Sequence, residues 1–316
     1  MSKIGGKIML ENFFVVAQQV LVLFILISLG FICGKKKMLN DVSAKHINNF
    51  ILYLVTPCAI ISAFEREYKP ELLGGLGISA LCAAAVMGAS IIAAGLIFRG
   101  KDGRNRVLRF SVIFSNCAFM SFPLQKAVLG DDGMFYGAVF VAVFNIIVWT
   151  YGLVCMSGDI KEISLKKLAL NPGIIGVAIA LIIFVFNIKP HYIIAQSIDY
   201  MAALNTPLPM VIIGYYLSQA NIKKAFSNVS VYVAMGIRLV IVPVITAVVL
   251  YLCRVETMIA VSCVIAASAP SAAITTMFAV KYNRDTELSV SMVAATTVFS
   301  ILTMPFVIAF AKTLTA

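Results

Sequence analysis

The amino-acid sequence predicts an all-α membrane protein of ten transmembrane helices, arranged as two inverted five-helix repeats, with the fourth and ninth helices broken at mid-depth. Three observations carry this prediction. Of the 316 residues, 61% are hydrophobic and only 12% charged, whereas a soluble domain is about half apolar and a quarter charged. Apolar windows of roughly 20 residues, enough to cross a bilayer, recur along the chain between short polar joints. Two interruptions fall in corresponding windows: Ser115-Asn116-Cys117-Ala118 followed by Pro123, and Ser268-Ala269-Pro270-Ser271. Proline within a helix removes a backbone hydrogen bond and clashes with the carbonyl four residues back. Hydrocarbon has no water to repair that loss, so such a break persists only where it lines a polar cavity. Paired breaks in two halves of a chain point to the binding site of a secondary transporter.

In chain order the windows lie at roughly 12–34, 43–64, 72–98, 107–129, 132–157, 172–188, 193–218, 229–253, 257–281 and 286–312. The first follows Lys3 and Lys7, as a signal peptide would, but its apolar run from Phe13 to Cys33 is too long for a signal core and has no small-residue cleavage motif. It is therefore a span. The second carries Pro57 and the seventh Pro207 and Pro209, which kink their helices. The fourth and ninth hold the two breaks. Joints after spans one, three, five, seven and nine carry about 16 Lys and Arg, against about 8 on the opposite side, termini included. Basic joints stay in the cytoplasm, so both termini are expected outside a bacterial cytoplasmic membrane.

The two halves echo each other. Leu54-Val55-Thr56-Pro57 aligns with Leu204-Asn205-Thr206-Pro207, Val112-Ile113 precedes the first break as Val264-Ile265 precedes the second, and Val143 to Ile147 resembles Val298 to Leu302. Matches in the same order, at an offset drifting only from 150 to 155, indicate a duplication of five spans. Five is odd, so the second copy enters from the other side of the membrane, and the division falls at 1–158 and 159–316. Substrate sites in such architectures lie near the midplane, between the repeats.

Polar groups gather at the breaks. Ser115, Asn116 and Ser121 surround the first; Ser268, Ser271, Thr275 and Thr276 surround the second. Crossing half-helices would bring their N-termini, with partial positive charge and free N–H groups, to one point suited to a carboxylate or other anion. The competing reading is that these hydroxyls bond carbonyls of their own helices. Asn145 and Ser300 hold equivalent places in spans five and ten and can face the same cavity, or Asn145 can join two helices, since an unpartnered amide in hydrocarbon costs several kcal/mol. Asn205 and Thr206 are within reach of that cavity. Arg238 is the one cation well inside a span. Intramembrane charges are functional candidates, but its distance of about two turns from the span's start favours snorkelling to the headgroups.

Composition removes other classes. The net charge of +11 sits in joints such as Lys35-Lys36-Lys37 and Arg99 to Arg109, where it meets anionic headgroups rather than nucleic acid. Seven scattered cysteines without a Cys-x-x-Cys pair read as packing residues. No Asp or Glu lies in the central third of a span, so no carboxylate sodium site or proton relay is visible. Phosphate loops, zinc helices and catalytic triads are absent from the sequence. The expectation is a carrier, not an enzyme, with no cofactor and no metal.

At Val143-Phe144-Asn145 with Trp149-Thr150-Tyr151-Gly152, at Ala269-Pro270-Ser271-Ala272 and at Ser300 to Pro305, the chain resembles the bacterial branch of the auxin efflux carrier family, relatives of plant auxin carriers and of malate or malonate permeases. The resemblance covers nearly the whole chain and implies the fold of the bile acid sodium symporters. That fold has a scaffold of spans 1, 2, 6 and 7, and a transport domain of spans 3–5 and 8–10 that moves like an elevator. It also implies Asn116 as the substrate-binding amide, with Pro123 and Pro270 marking the crossover breaks. Plant members carry an acid and a lysine in span three; here Leu76 to Ala83 is uncharged, which argues against auxin itself. The resulting expectation is a carrier of a small organic anion, a carboxylate, by efflux or uniport, with a homodimer through the scaffold as a possible assembly. The alternatives are a sodium-coupled symporter of the bile acid type and a membrane sensor on a transporter fold.

Overall fold

The computed structural model describes residues 3–219 and 229–315. Among these residues the fold is helical, with one isolated β-bridge and no sheet. In chain order the main helices are α1 (Lys3–Lys35), α2 (Asp41–Phe64), α3 (Pro70–Ile97), α4 (Gly103–Ile113), α5 (Ser121–Ser157), α6 (Pro172–Val185), α7 (Tyr192–Ala203), α8 (Pro207–Gln219), α9 (Val229–Leu252), α10 (Thr257–Ser268), α11 (Ile274–Lys281) and α12 (Thr286–Thr315). Six of them, α1, α2, α3, α5, α9 and α12, are long and apolar enough to cross a membrane by length and composition. They occupy the first, second, third, fifth, eighth and tenth predicted windows. The other four windows hold shorter pieces.

Local chemistry explains where helices start and bend. Pro70 and Pro172 open α3 and α6, where a missing N–H costs nothing, and the Asn171 side chain caps α6 by accepting from the Ile174 N–H at 3.1 Å. Pro57 does not break α2: a wider π turn over Ile51–Val55 directly precedes it and makes room for the ring. Pro207 does more than the kink expected of it. Helix α7 ends at Ala203 and α8 begins at Pro207, because the residue before proline is pushed out of the helical region. Gly130, at φ 72°, separates a short first arm of α5 from the long remainder; only glycine takes that conformation readily.

Close backbone approach joins α1 to α8. A Cβ on Gly214 would lie 1.9 Å from the Ile27 carbonyl oxygen, and one on Gly30 would lie 2.0 Å from that of Val211. Small residues permit such contact where no hydrophobic effect drives helices together. Elsewhere α6 packs on α2 with Gly176 against Pro57, and α5 packs on α10 through Gln125 and Ser262. A dense core surrounds the ring pairs Phe110–Phe114 at 4.3 Å and Phe110–Phe278 at 5.4 Å. Large apolar side chains also point outward, among them Ile25, Leu81, Ile92 and Ile245. Exposure of that kind suits lipid rather than water.

Candidate functional site

Helix α4 stops at Ile113, with Phe114 extended, and α10 stops at Ser268, with Ala269 extended ahead of Pro270. The two interruptions meet. Ser115 and Ser271 form an antiparallel bridge; the Asn116 N–H donates to the Pro270 carbonyl at 2.7 Å and the Ala272 N–H to the Phe114 carbonyl at 2.9 Å. Each break thus supplies the other with backbone partners that lipid cannot offer. The Ser271 N–H donates to the Thr296 hydroxyl at 3.1 Å. Four helix ends converge here: the C-termini of α4 and α10 and the N-termini of α5 and α11.

The predicted site residues divide by what their side chains already do. Ser115, Asn116, Ser268, Ser271 and Thr275 are all buried. Ser268 donates to Ile265 O of its own helix at 2.9 Å, and Ser271 donates to Ser111 O at 2.8 Å, tying the second break to α4. Ser121 reaches Ile265 O at 3.3 Å. The Thr275 hydroxyl is buried without a partner. The side-chain amide of Asn116 makes no hydrogen bond among the described residues, although its backbone is held on both sides.

Other candidates have partners of their own. Asn145 donates to Val141 O of its own helix at 2.9 Å and sits against Gly173 and Asn171 at the start of α6. Ser300 donates to Thr297 O at 2.7 Å. Asn205 accepts from the Thr56 hydroxyl at 3.4 Å, joining the α7–α8 break to α2. Together with Thr206 and Pro123 it lines a cavity of about 660 Å³ between the end of α2, α7 and the short arm of α5. Charged groups at its rim escaped the sequence reading. Arg66 pairs with Asp132 at 2.5 Å across the gap from α2 to α5 and covers the Phe135 ring. Partial burial, then the neighbouring Asp199 carboxylate, pushes the Glu65 carboxyl above its ordinary range. Metal-ligand clusters of three His, Cys, Asp or Glu do not occur among the described residues.

Arg238 requires a correction. It does not snorkel: the residue is 2% exposed, and its guanidinium points inward to the breaks. It donates from Nε to Ala269 O at 3.1 Å, from Nη1 to Val112 O at 3.0 Å, and from Nη2 to Ala267 O. The signal was available in the sequence. Arg238 lies nine residues beyond Val229, the first described residue of α9, about 14 Å along the helix at a rise of 1.5 Å per residue, which is close to mid-membrane.

A helical, lipid-faced chain with a polar meeting point of broken helices belongs to the class of membrane transport proteins, and the comparison with known families agrees. Residues 15–308 match the family described as membrane transport protein, and the chain belongs to it, the auxin efflux carrier family. An uncharacterized transporter of Methanocaldococcus jannaschii is 26% identical over 297 residues, covering 90% of this chain and 94% of the relative. A second, from Methanothermobacter thermautotrophicus, is 20% identical over 292 residues, covering 91% and 96%.

Proposed function

We propose that the protein is a secondary carrier of a small organic anion, a carboxylate, bound where the two breaks meet. The observation that carries this reading is the Ser115–Ser271 bridge with an unoccupied amide beside it. The N-terminal turns of α5 and α11 start within a few residues of the bridge and direct their partial positive charge toward it, although the Thr275 and Thr276 N–H groups of α11 already donate to Ala272 O and Ala273 O. Asn116 adds a donor, and no carboxylate side chain stands in the breaks to repel an anion.

In this reading the chain crosses the cell membrane ten times as two inverted five-helix repeats, with both termini outside. Helices α1, α2, α6, α7 and α8 form the scaffold, through which two copies can pair; α3 to α5 and α9 to α12 carry the substrate as an elevator. Two observations support that division. Glycine-mediated contact locks α1 to α8 within one group, while a cavity opens between α7 and α5 beside the end of α2, where Phe64 still packs on Phe135 at 4.6 Å. Arg66, which lines that cavity, pairs with Asp132 of α5, a contact that a sliding movement would have to open. An inside-negative potential favours export of a monovalent anion by about 2.3 kcal/mol per 100 mV, so efflux needs no coupling ion.

Purified protein in liposomes should move labelled mono- or dicarboxylates of two to six carbons, with initial rates that follow an imposed potential and are unchanged when sodium is replaced by choline. Absence of flux for every carboxylate contradicts the reading. Flux that depends on sodium leaves the carrier standing but overturns uncoupled transport.

A further inference from the structure

We infer that Arg238 is the specificity-determining residue of this site: its buried, uncompensated charge makes the junction of the breaks select an anion over a neutral analogue. The inference rests on the carrier reading above. It follows from the charges gathered at one point. Each helix end carries about half an elementary charge, negative at the C-terminus and positive at the N-terminus. The C-termini of α4 and α10 therefore roughly cancel the N-termini of α5 and α11, and four converging ends leave the junction near neutral. The guanidinium is what remains. Its three hydrogen bonds go to carbonyls at the two negative ends, Val112 in α4 and Ala267 and Ala269 at the end of α10.

No carboxylate pairs with it among the described residues, where its three N–H groups go to backbone carbonyls. The titratable neighbour facing it is the buried Cys117 thiol. A guanidinium does not shed its proton in a protein, and a buried charge without a counter-ion is costly. Satisfying three carbonyls takes one donor more than a neutral amide has, so the guanidinium also has a structural task here, but that task does not neutralise its charge. The missing counter-ion is the carboxylate of the substrate. Arg238 does not touch it, because the guanidinium lies behind the backbone of Ala267 to Ala269 and acts through the field at Asn116 and the N–H groups of the half-helices. It is a positioning residue in that sense, and it also holds the two breaks in register.

The test compares wild type, Arg238→Met and Arg238→Lys in liposomes. Each carboxylate transported by wild type is measured beside its neutral monoamide, and the thermal midpoint of every variant is recorded. Arg238→Met is expected to raise KM for the carboxylate 10- to 100-fold more than KM for the amide, whatever both lose with the register of the breaks. Arg238→Lys, which keeps the charge with a different donor geometry, is expected at pH 6 to keep the carboxylate preference within threefold of wild type. If Arg238→Met does not fold, Arg238→Lys decides alone. An unchanged carboxylate-to-amide ratio in Arg238→Met, equal loss of both substrates, or loss of the preference in Arg238→Lys overturns the inference and leaves the carrier reading intact. No carboxylate flux by wild type overturns both.

Discussion

Replacing Gly214 by leucine should abolish recovery of folded protein. The Cβ of any side chain at that position would lie 1.9 Å from the Ile27 carbonyl oxygen and 2.7 Å from the Phe31 nitrogen. Those neighbours are backbone atoms of α1, so no rotamer change makes room. The helices must separate, and the contact between Gly30 and Val211 is lost with them. Overpacking a tight site costs about 1–3 kcal/mol when side chains can give way, and more when they cannot. A membrane protein with ordinary marginal stability does not survive such a loss. The comparison is Gly77→Leu on α3, where an added Cβ meets nothing within 4 Å. Size-exclusion profiles in detergent should show aggregate for Gly214→Leu and a wild-type peak for Gly77→Leu. A monodisperse Gly214→Leu would show that the close approach of α1 and α8 is not what holds the scaffold group together.

Asn116→Asp should give folded protein that no longer carries carboxylates. Aspartate has almost the shape of asparagine, and the backbone bond from residue 116 to Pro270 is untouched. Its charge has a ready counter-ion in Arg238, which donates to carbonyls on both sides of the junction. The variant would then hold its own carboxylate where the substrate is expected. Like charges within a low-dielectric site repel by several kcal/mol, so carboxylate uptake should fall at least 100-fold, with the thermal midpoint at or above wild type. Uptake within threefold of wild type would place the anion elsewhere.

Much of this was legible in the sequence, and the illegible parts share a physical cause. Proline and polar residues in an apolar window announce a broken backbone, so the positions of both breaks followed from Pro270 and from the Ser115–Asn116 run. Six long apolar windows became helices long enough to span, because window length and hydropathy are local properties. What depends on a partner far along the chain stayed hidden. Gly214 is one glycine among twenty until Ile27 is found against it. Asn145 could face a cavity or join two helices by sequence, and the local bond from its Nδ2 to Val141 O one turn back could not be read from either. Arg238 was read as snorkelling because depth was judged from the span's end, whereas its direction is set by three carbonyls 29 to 126 residues away. The cavity rim of Arg66, Glu65 and Asp131 joins ends of separate spans, and no single window contains it.

The central claim is that the Asn116 amide at the meeting of the breaks binds a carboxylate. Its most direct measurement is the initial rate of uptake of the best transported carboxylate into liposomes by wild type and by Asn116→Ala at matched amounts of folded protein. A hydrogen bond to a charged group contributes about 1.5–3 kcal/mol, so the predicted result is a KM about 10- to 100-fold higher for Asn116→Ala with the thermal midpoint preserved. Equal KM and equal rate in the two proteins would contradict the account.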